Sequence, residues 1–237
     1  MPNPTLKNLA QAELGRGTPM LYYITDSSSF AGSVAVRRKL LLQKIGEAAR
    51  CGINFIQLRE KWISIPELEL LTSTAFEIIH RSRPIAGQIN TRLLINSRTD
   101  VAIACGSDGV HLRSDDVSAK SVLEVWRGRT SSASKVKEIP VISVSCHSVK
   151  EVERAAHEGA TYALFGPVFE KHEAPSLTGT GLEKLSQACA GKIPVLALGG
   201  ISLHNVGECI SAGAAGIAGI RLFQENDIER VVDQIRS

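Results

Sequence analysis

The chain has 237 residues and a formal net charge of +3 at pH 7. Aromatic residues make up only 5% and no run of five cations occurs, so a nucleic-acid groove built from cations and stacking rings is not expected. No apolar run of about 18 residues occurs either. We therefore expect a cytoplasmic protein with no membrane-spanning segment and no secretory leader.

A short apolar run followed by a helical stretch recurs eight times along the chain. Such continuous apolar runs are typical of parallel strands buried on both faces. Ser64 and Pro66 mark the start of one of the helices that follow. The predicted strands cover residues 21–26, 53–60, 92–96, 109–112, 140–145, 162–166, 194–200 and 216–220.

Eight strand–helix units in about 215 residues predict an α/β fold, a single (β/α)8 TIM barrel. A doubly wound open sheet is the main alternative, but the first strand lacks the glycine fingerprint of a dinucleotide site. We assign residues 20–237 to the barrel domain and residues 1–19 to a short N-terminal extension. The long stretches at 128–139 and 167–181 are predicted loops, and the second of them could act as a lid.

The five cysteines are widely spaced, with no pair close enough for a compact zinc motif. Each lies among apolar or small residues. We therefore expect five buried free thiols in a reducing compartment.

The second strand and its continuation, "FIQLREKW", predict an anion site. Because side chains alternate between the faces of a strand, Ile53 and Phe55 would fill the barrel interior. Gln57, Arg59 and Lys61 would continue that face into the barrel mouth, where two cations suit phosphate oxygens. Alternatively, the cations pair with carboxylates of the rim such as Asp26 or Asp116.

A second anion site is expected at the last two strands. Barrels often hold phosphate there, on backbone N–H groups at the start of a short helix. Gly199 and Gly200 would let the backbone approach closely, with Ile220 and Arg221 opposite, and Gly166 ends the sixth strand nearby. Tight helix–strand packing that prefers glycine is the alternative. Two anion sites imply two phosphorylated substrates or one extended diphosphate.

Acidic and histidine side chains follow several other strands. Asp115 or Asp116 could hold Mg²⁺ on a diphosphate, although capping of the next helix is an equally good explanation. His111, His147 and His172 are each potential acid–base groups, and for each a hydrogen-bonded structural role is favoured.

The ordered set "LYYITD", "FIQLREK", "LLIN", "DGVHL", "SVSCHS", "LFGPVF", "LALGGIS" and "GIAGI" resembles the thiamine phosphate synthase family, including its TenI thiazole tautomerase branch. The resemblance runs from about residue 20 to the C-terminus. It implies a transferase of thiamine biosynthesis that couples hydroxymethylpyrimidine diphosphate to a thiazole phosphate and releases pyrophosphate with Mg²⁺. These small phosphorylated molecules would be its partners.

The resemblance also assigns roles to individual residues. It implies that Gln57, Arg59 and Lys61 hold the diphosphate, and that Asn96 contacts the pyrimidine. Ser145 matches the serine near the reacting centre. Gly199, Gly200 and the Ile220 region match the thiazole phosphate cradle, and Asp116 matches one of two Mg²⁺ aspartates.

The chain departs from the synthase pattern in two places. Ser97 stands where the other Mg²⁺ aspartate is expected, and residues 170–175 lack the usual threonine–lysine pattern. Lys171 or His172 could take the catalytic place of the missing lysine. A TenI-like tautomerase and a non-catalytic phosphate-ligand binder therefore stay open as alternatives. The oligomeric state is also open, and a homo-oligomer is compatible with the sequence.

Overall fold

The structure, a computed structural model, describes residues 18–82, 90–129, 139–170 and 179–237. Eight parallel strands pair in chain order, and the last pairs with the first to close a barrel. The predicted TIM barrel is therefore confirmed, although five of its strands are shorter than the apolar runs suggested. The strands are β1 Met20–Ile24, β2 Phe55–Leu58, β3 Arg92–Asn96, β4 Gly109–Leu112, β5 Val141–Cys146, β6 Tyr162–Phe165, β7 Val195–Leu198 and β8 Gly216–Gly219.

Helices connect the strands and surround the barrel. The helix after β2 starts as predicted, because Ser64 and Glu67 form a reciprocal capping box and Pro66 lies in its first turn. A short 3-10 turn, Ser27–Ser29, follows β1. The helices are α1 Val34–Arg50, α2 Ile65–Arg81, α3 Thr99–Ala104, α4 Ala119–Arg129, α5 Val149–His157, α6 Gly181–Cys189, α7 Val206–Ser211, α8 Arg221–Gln224 and α9 Ile228–Arg236.

Two apolar layers result from the alternation of side chains along the strands. The inner layer fills the barrel, where the ring of Phe55 lies 5.7 Å from that of Tyr22 and 5.0 Å from that of Tyr162. The outer layer lies between the strands and the helices. Ile53 belongs to this outer layer, so the prediction that it fills the interior is wrong. It precedes β2, where the alternation has not yet begun.

The predicted extension at 1–19 lies almost entirely outside the described residues, as do most of the predicted loops at 128–139 and 167–181. All five cysteines are free, as predicted. Cys146 and Cys209 are buried, but the other three are half-buried, so the prediction of burial is wrong for those three.

Candidate functional site at the barrel mouth

The carboxyl ends of the strands bring polar side chains together above the apolar inner layer. Gln57 follows Phe55 by two residues on β2, and Asn96 follows Leu94 on β3, so each continues an inward-facing position. His111 on β4 pairs in register with Asn96 on one side and with Ser143 on the other. The mouth is thus polar where the interior is apolar.

Gln57 is a buried amide with one unused oxygen. Its Nε2 donates to Asn96 Oδ1 at 2.8 Å, and Asn96 Nδ2 donates to Ser97 Oγ at 3.1 Å. Gln57 is 1% exposed, and its Oε1 has no hydrogen-bond partner within the described residues. Because buried polar atoms are nearly always hydrogen-bonded, this oxygen is available to a donor on a ligand.

The two cations that follow Gln57 lie in a loop, because β2 ends at Leu58. The predicted strand is therefore shorter than expected, and the two cations lie beside its carboxyl end. Arg59 Nη1 lies 3.8 Å from Asp26 Oδ2, so the predicted alternative of pairing with Asp26 applies to this cation. Lys61 is exposed, and in the described ranges it has no ion pair.

Glu60, between the cations, holds the loop after β1, and sequence reasoning missed it. Its Oε1 accepts from Thr25 Oγ1 at 2.7 Å, and its Oε2 accepts from the backbone N–H of Ser27 at 3.0 Å and from the Ser27 hydroxyl. Thr25 Oγ1 in turn accepts from the backbone N–H of Arg59 at 3.0 Å. The carboxylate therefore joins the loops after β1 and β2.

Gln224 is a second anchor that sequence reasoning missed. It is 4% exposed at the end of α8. Its Oε1 accepts from Tyr23 Oη at 2.8 Å and from the backbone N–H of Asp26 at 3.1 Å, and its Nε2 donates to the Asp26 carbonyl at 2.6 Å. A glutamine directly after the apolar pair Leu222 and Phe223 was the signal that could have identified it.

His111 and Ser145 meet across β4 and β5, with 2.9 Å between Nε2 and Oγ. His111 is 3% exposed, and burial lowers the pKa of its imidazole to about 3, so the ring is neutral near pH 7. His147 is exposed, and its Nδ1 lies 2.6 Å from the Gly166 carbonyl oxygen. Both histidines are therefore hydrogen-bonded within the protein, as the favoured prediction had it.

The three glycines of the predicted phosphate site lie where a side chain would clash with neighbouring backbone. A Cβ on Gly166 would lie 2.0 Å from the Leu198 carbonyl oxygen. Gly199 and Gly200 have φ of +93° and +67°, and a Cβ on Gly199 would lie 2.7 Å from Pro167 Cα. Packing therefore requires glycine here, but against the segment after β6 and a neighbouring strand, and not between a helix and a strand as the predicted alternative had it.

Ile220 and Arg221, two residues of the predicted phosphate cradle, directly follow the eighth strand. Ile220 follows β8 and is the N-cap residue of the short helix α8, and Arg221 is its first residue and is exposed. A short helix after the eighth strand is the usual arrangement of a barrel phosphate site.

The donor set for a magnesium ion is small. Both oxygens of Asp116 face Arg113, with Oδ2 accepting from its backbone N–H at 2.8 Å. Ser118 caps α4, so Asp116 does not have the predicted capping role. Within the described ranges no three His, Cys, Asp or Glu side chains are grouped to hold a metal. These residues fit an ion that arrives with substrate phosphates and not one held by protein alone.

Lys171 and His172, the proposed catalytic replacements, lie outside the described residues. No helix among those that the structure describes is long and apolar enough to cross a membrane.

The closed barrel and its polar mouth define a (β/α)8 barrel protein with its ligand site at the carboxyl ends of the strands. The model of the family described as thiamine monophosphate synthase matches residues 21–223, and this chain belongs to that family.

Individual relatives agree with this assignment. The thiamine-phosphate synthase of Chlorobium luteolum is 35% identical over 203 residues, which cover 85% of this chain and 83% of the relative. That of Roseiflexus castenholzii is 31% identical, covering 92% and 86%. The solved structure of thiamine phosphate pyrophosphorylase from Pyrococcus furiosus superposes with a TM-score of 0.72 at 26% identity, covering 92% of this chain and 93% of that one.

Proposed function

We propose that this protein is a thiamine-phosphate synthase, a transferase that joins a hydroxymethylpyrimidine diphosphate to a thiazole phosphate and releases pyrophosphate. The observation that carries the proposal is the group at the end of β2. Gln57 has a buried oxygen without a partner in the described residues, and Arg59 and Lys61 follow beside it. The relatives named thiamine-phosphate synthase support the same activity.

The chemistry needs fixed positive charge where the diphosphate leaves. As the bond to the leaving group breaks, negative charge develops on the pyrophosphate oxygens, and cations already in place stabilise it. Arg59 offers a planar fork of donors and Lys61 a mobile point charge, which together suit several oxygens at once. Gln57 Oε1 is an acceptor, so it would take a hydrogen bond from the pyrimidine and not from a phosphate oxygen. Asn96 would also contact the pyrimidine, and Ser145 would face the reacting centre.

The second substrate would bind across the mouth. A thiazole phosphate would meet backbone N–H groups at the ends of β6, β7 and β8. The residues at these ends are Gly166, Gly199, Gly200, Ile220 and Arg221. The glycines would serve packing and phosphate approach together. Lys171 and His172 stay proposed catalytic residues of the segment that follows β6.

Magnesium would enter with the diphosphate. Mg²⁺ commonly takes one or two carboxylates and completes its shell with phosphate oxygens and water. Asp116 would supply the carboxylate, and Ser97 has no charge to offer. When bound, the ion would neutralise charge on the leaving pyrophosphate. We therefore expect activity to need more Mg²⁺ than a site with two aspartates would.

The test is pyrophosphate release with both substrates and Mg²⁺ present. Lys61→Ala should lower kcat/KM by about tenfold to a hundredfold, since removing a charge-assisted contact in the transition state costs about 1.5–3 kcal/mol. Lys192→Ala is the matched control, because Lys192 is exposed just before β7, at the opposite end of the barrel. No release by the wild type would reject the synthase. Proton exchange on a thiazole phosphate carboxylate would then indicate a tautomerase, and binding without either reaction a non-catalytic binder.

A further inference from the structure

Four side chains form a hydrogen-bonded row from the barrel interior to the mouth. Tyr22 Oη lies 2.9 Å from Ser143 Oγ, and Ser143 Oγ lies 2.9 Å from His111 Nδ1. His111 Nε2 lies 2.9 Å from Ser145 Oγ. Tyr22 and Ser143 are fully buried and His111 nearly so, whereas Ser145 is half-buried at the end of β5. The row therefore has a closed inner end and an open outer end.

The inner end decides which imidazole nitrogen carries the proton. A neutral imidazole has one N–H, and the row must satisfy it together with two buried hydroxyl hydrogens. In the described part of the chain, the partners of Tyr22 Oη are Ser143 and, at 3.5 Å, His111 Nδ1. A buried hydroxyl hydrogen without an acceptor is costly.

Only one tautomer of His111 lets every hydrogen of the inner end find an acceptor. If Nδ1 carried the proton, three hydrogens from Tyr22, Ser143 and His111 would share two acceptor oxygens, and one hydroxyl would be left without a partner. If Nε2 carries it, Tyr22 donates to Ser143 and Ser143 donates to Nδ1. The closed inner end therefore favours the Nε2–H form, which donates to Ser145 Oγ.

The tautomer of His111 determines where the hydroxyl hydrogen of Ser145 points at the barrel mouth. Because Ser145 Oγ already accepts from His111, its own hydrogen must point elsewhere. We propose that Tyr22, Ser143 and His111 are positioning residues that fix Ser145 as a hydrogen-bond donor toward the bound substrate. Ser145 then selects an acceptor atom, a ring nitrogen or an oxygen without hydrogen, on the phosphorylated heteroaromatic substrate. The identity of the substrate rests on the proposed function, but the direction in which the hydrogen bonds of the row are donated does not.

The tautomer is measured directly on the wild type. In two-dimensional ¹H–¹⁵N NMR of the protein labelled at histidine, His111 should show a protonated Nε2 and an unprotonated Nδ1 across neutral pH, with or without substrates. His111→Gln identifies its signals. A protonated Nδ1 would overturn the proposal even if the protein releases pyrophosphate, and a protonated Nε2 would support it even if the synthase activity fails.

The matched variants are Tyr22→Phe and Tyr23→Phe. Both remove one buried phenol hydroxyl from β1, but Tyr23 donates to Gln224 on the other face. Tyr22→Phe shortens the row, but Ser143 can still donate to Nδ1, so both variants should keep the protonated Nε2, and a protonated Nδ1 in Tyr22→Phe would overturn the proposal. Ser143→Ala removes the hydroxyl that donates to Nδ1 at 2.9 Å and leaves only the contact of 3.5 Å with Tyr22 Oη. This variant should lower kcat/KM about fivefold to tenfold, while inorganic pyrophosphate binds as in the wild type. An unchanged kcat/KM in Ser143→Ala would overturn the positioning role.

Discussion

Acid should destabilise this protein through one buried side chain, His111. Burial lowers the pKa of its imidazole from 6.5 to about 3, and the nearby Arg59 acts in the same direction while Asp116 opposes it. The unfolded chain binds a proton at this position below about pH 6.5, and the folded chain does so only near pH 3. The free energy of unfolding therefore falls as the pH is lowered through this window and changes no further below it.

The size of the effect follows from the two pKa values. With about 1.36 kcal/mol per pKa unit, His111 costs about 1 kcal/mol at pH 6 and about 3 kcal/mol at pH 4. Urea unfolding at these two pH values should show that the wild type loses about 2 to 3 kcal/mol more than His111→Gln loses. His204→Gln removes an exposed histidine and should keep the wild-type loss. Equal losses in the wild type and in His111→Gln would refute the reasoning.

Three further changes test the loops of the mouth. Gly199→Ala should destabilise the fold by about 2 kcal/mol or more, because alanine is strained at φ +93° and its Cβ would meet Pro167. Gly207→Ala on α7 is the control, because its Cβ would lie in open space, and it should be neutral or stabilising by up to about 1 kcal/mol. Thermal unfolding compares the two, and similar shifts would contradict the packing argument. Ser97→Asp should lower the Mg²⁺ concentration for half-maximal pyrophosphate release severalfold, and an unchanged concentration would place the ion away from residue 97. Glu60→Gln should raise KM for the diphosphate about tenfold with a smaller change in kcat, because it weakens charge-assisted bonds that join two loops; a fall in kcat alone would indicate a different role.

The fold was predictable because the barrel repeats one pattern eight times. Five of the eight strands are buried along their whole length, and β3, β5 and β7 are buried over most of it. The continuous apolar runs that result are visible in the sequence without any contact information. Strand ends were less predictable. The alternation through "FIQLREK" continues in the sequence beyond Leu58, but the chain leaves the barrel there, and nothing in local propensity marks the last hydrogen-bonded residue.

The site was predictable only where a residue lies directly at a strand end. Gln57 and Asn96 could be placed together because neighbouring strands end at the same level. Glu60 and Gln224 could not, since their partners are hydrogen-bonding groups of the loop after β1, and the distance in sequence from Gln224 to that loop is nearly the whole chain. Ser143 was equally hidden, because a small polar residue inside a strand gives no sign of its partner.

The stretch "REK" appears nearly self-neutralising in sequence, but the structure separates its charges. The Glu60 carboxylate is committed to Thr25 and Ser27, so the carboxylate that faces Arg59 is Asp26. At 3.8 Å and partly exposed, that pair contributes at most about 1 kcal/mol, so a diphosphate can displace it at little cost.

Asp26→Asn tests this competition. The amide keeps the oxygen that accepts from the Ser28 backbone N–H, so the turn after β1 should persist, while the charge that opposes the ligand is removed. Pyrophosphate should then bind about twofold to fivefold more tightly by calorimetry at low salt, and the gain should shrink as salt is added. Weaker binding would mean that Asp26 orients Arg59 for the ligand instead of competing with it, because an oriented guanidinium loses its geometry when its carboxylate partner is gone.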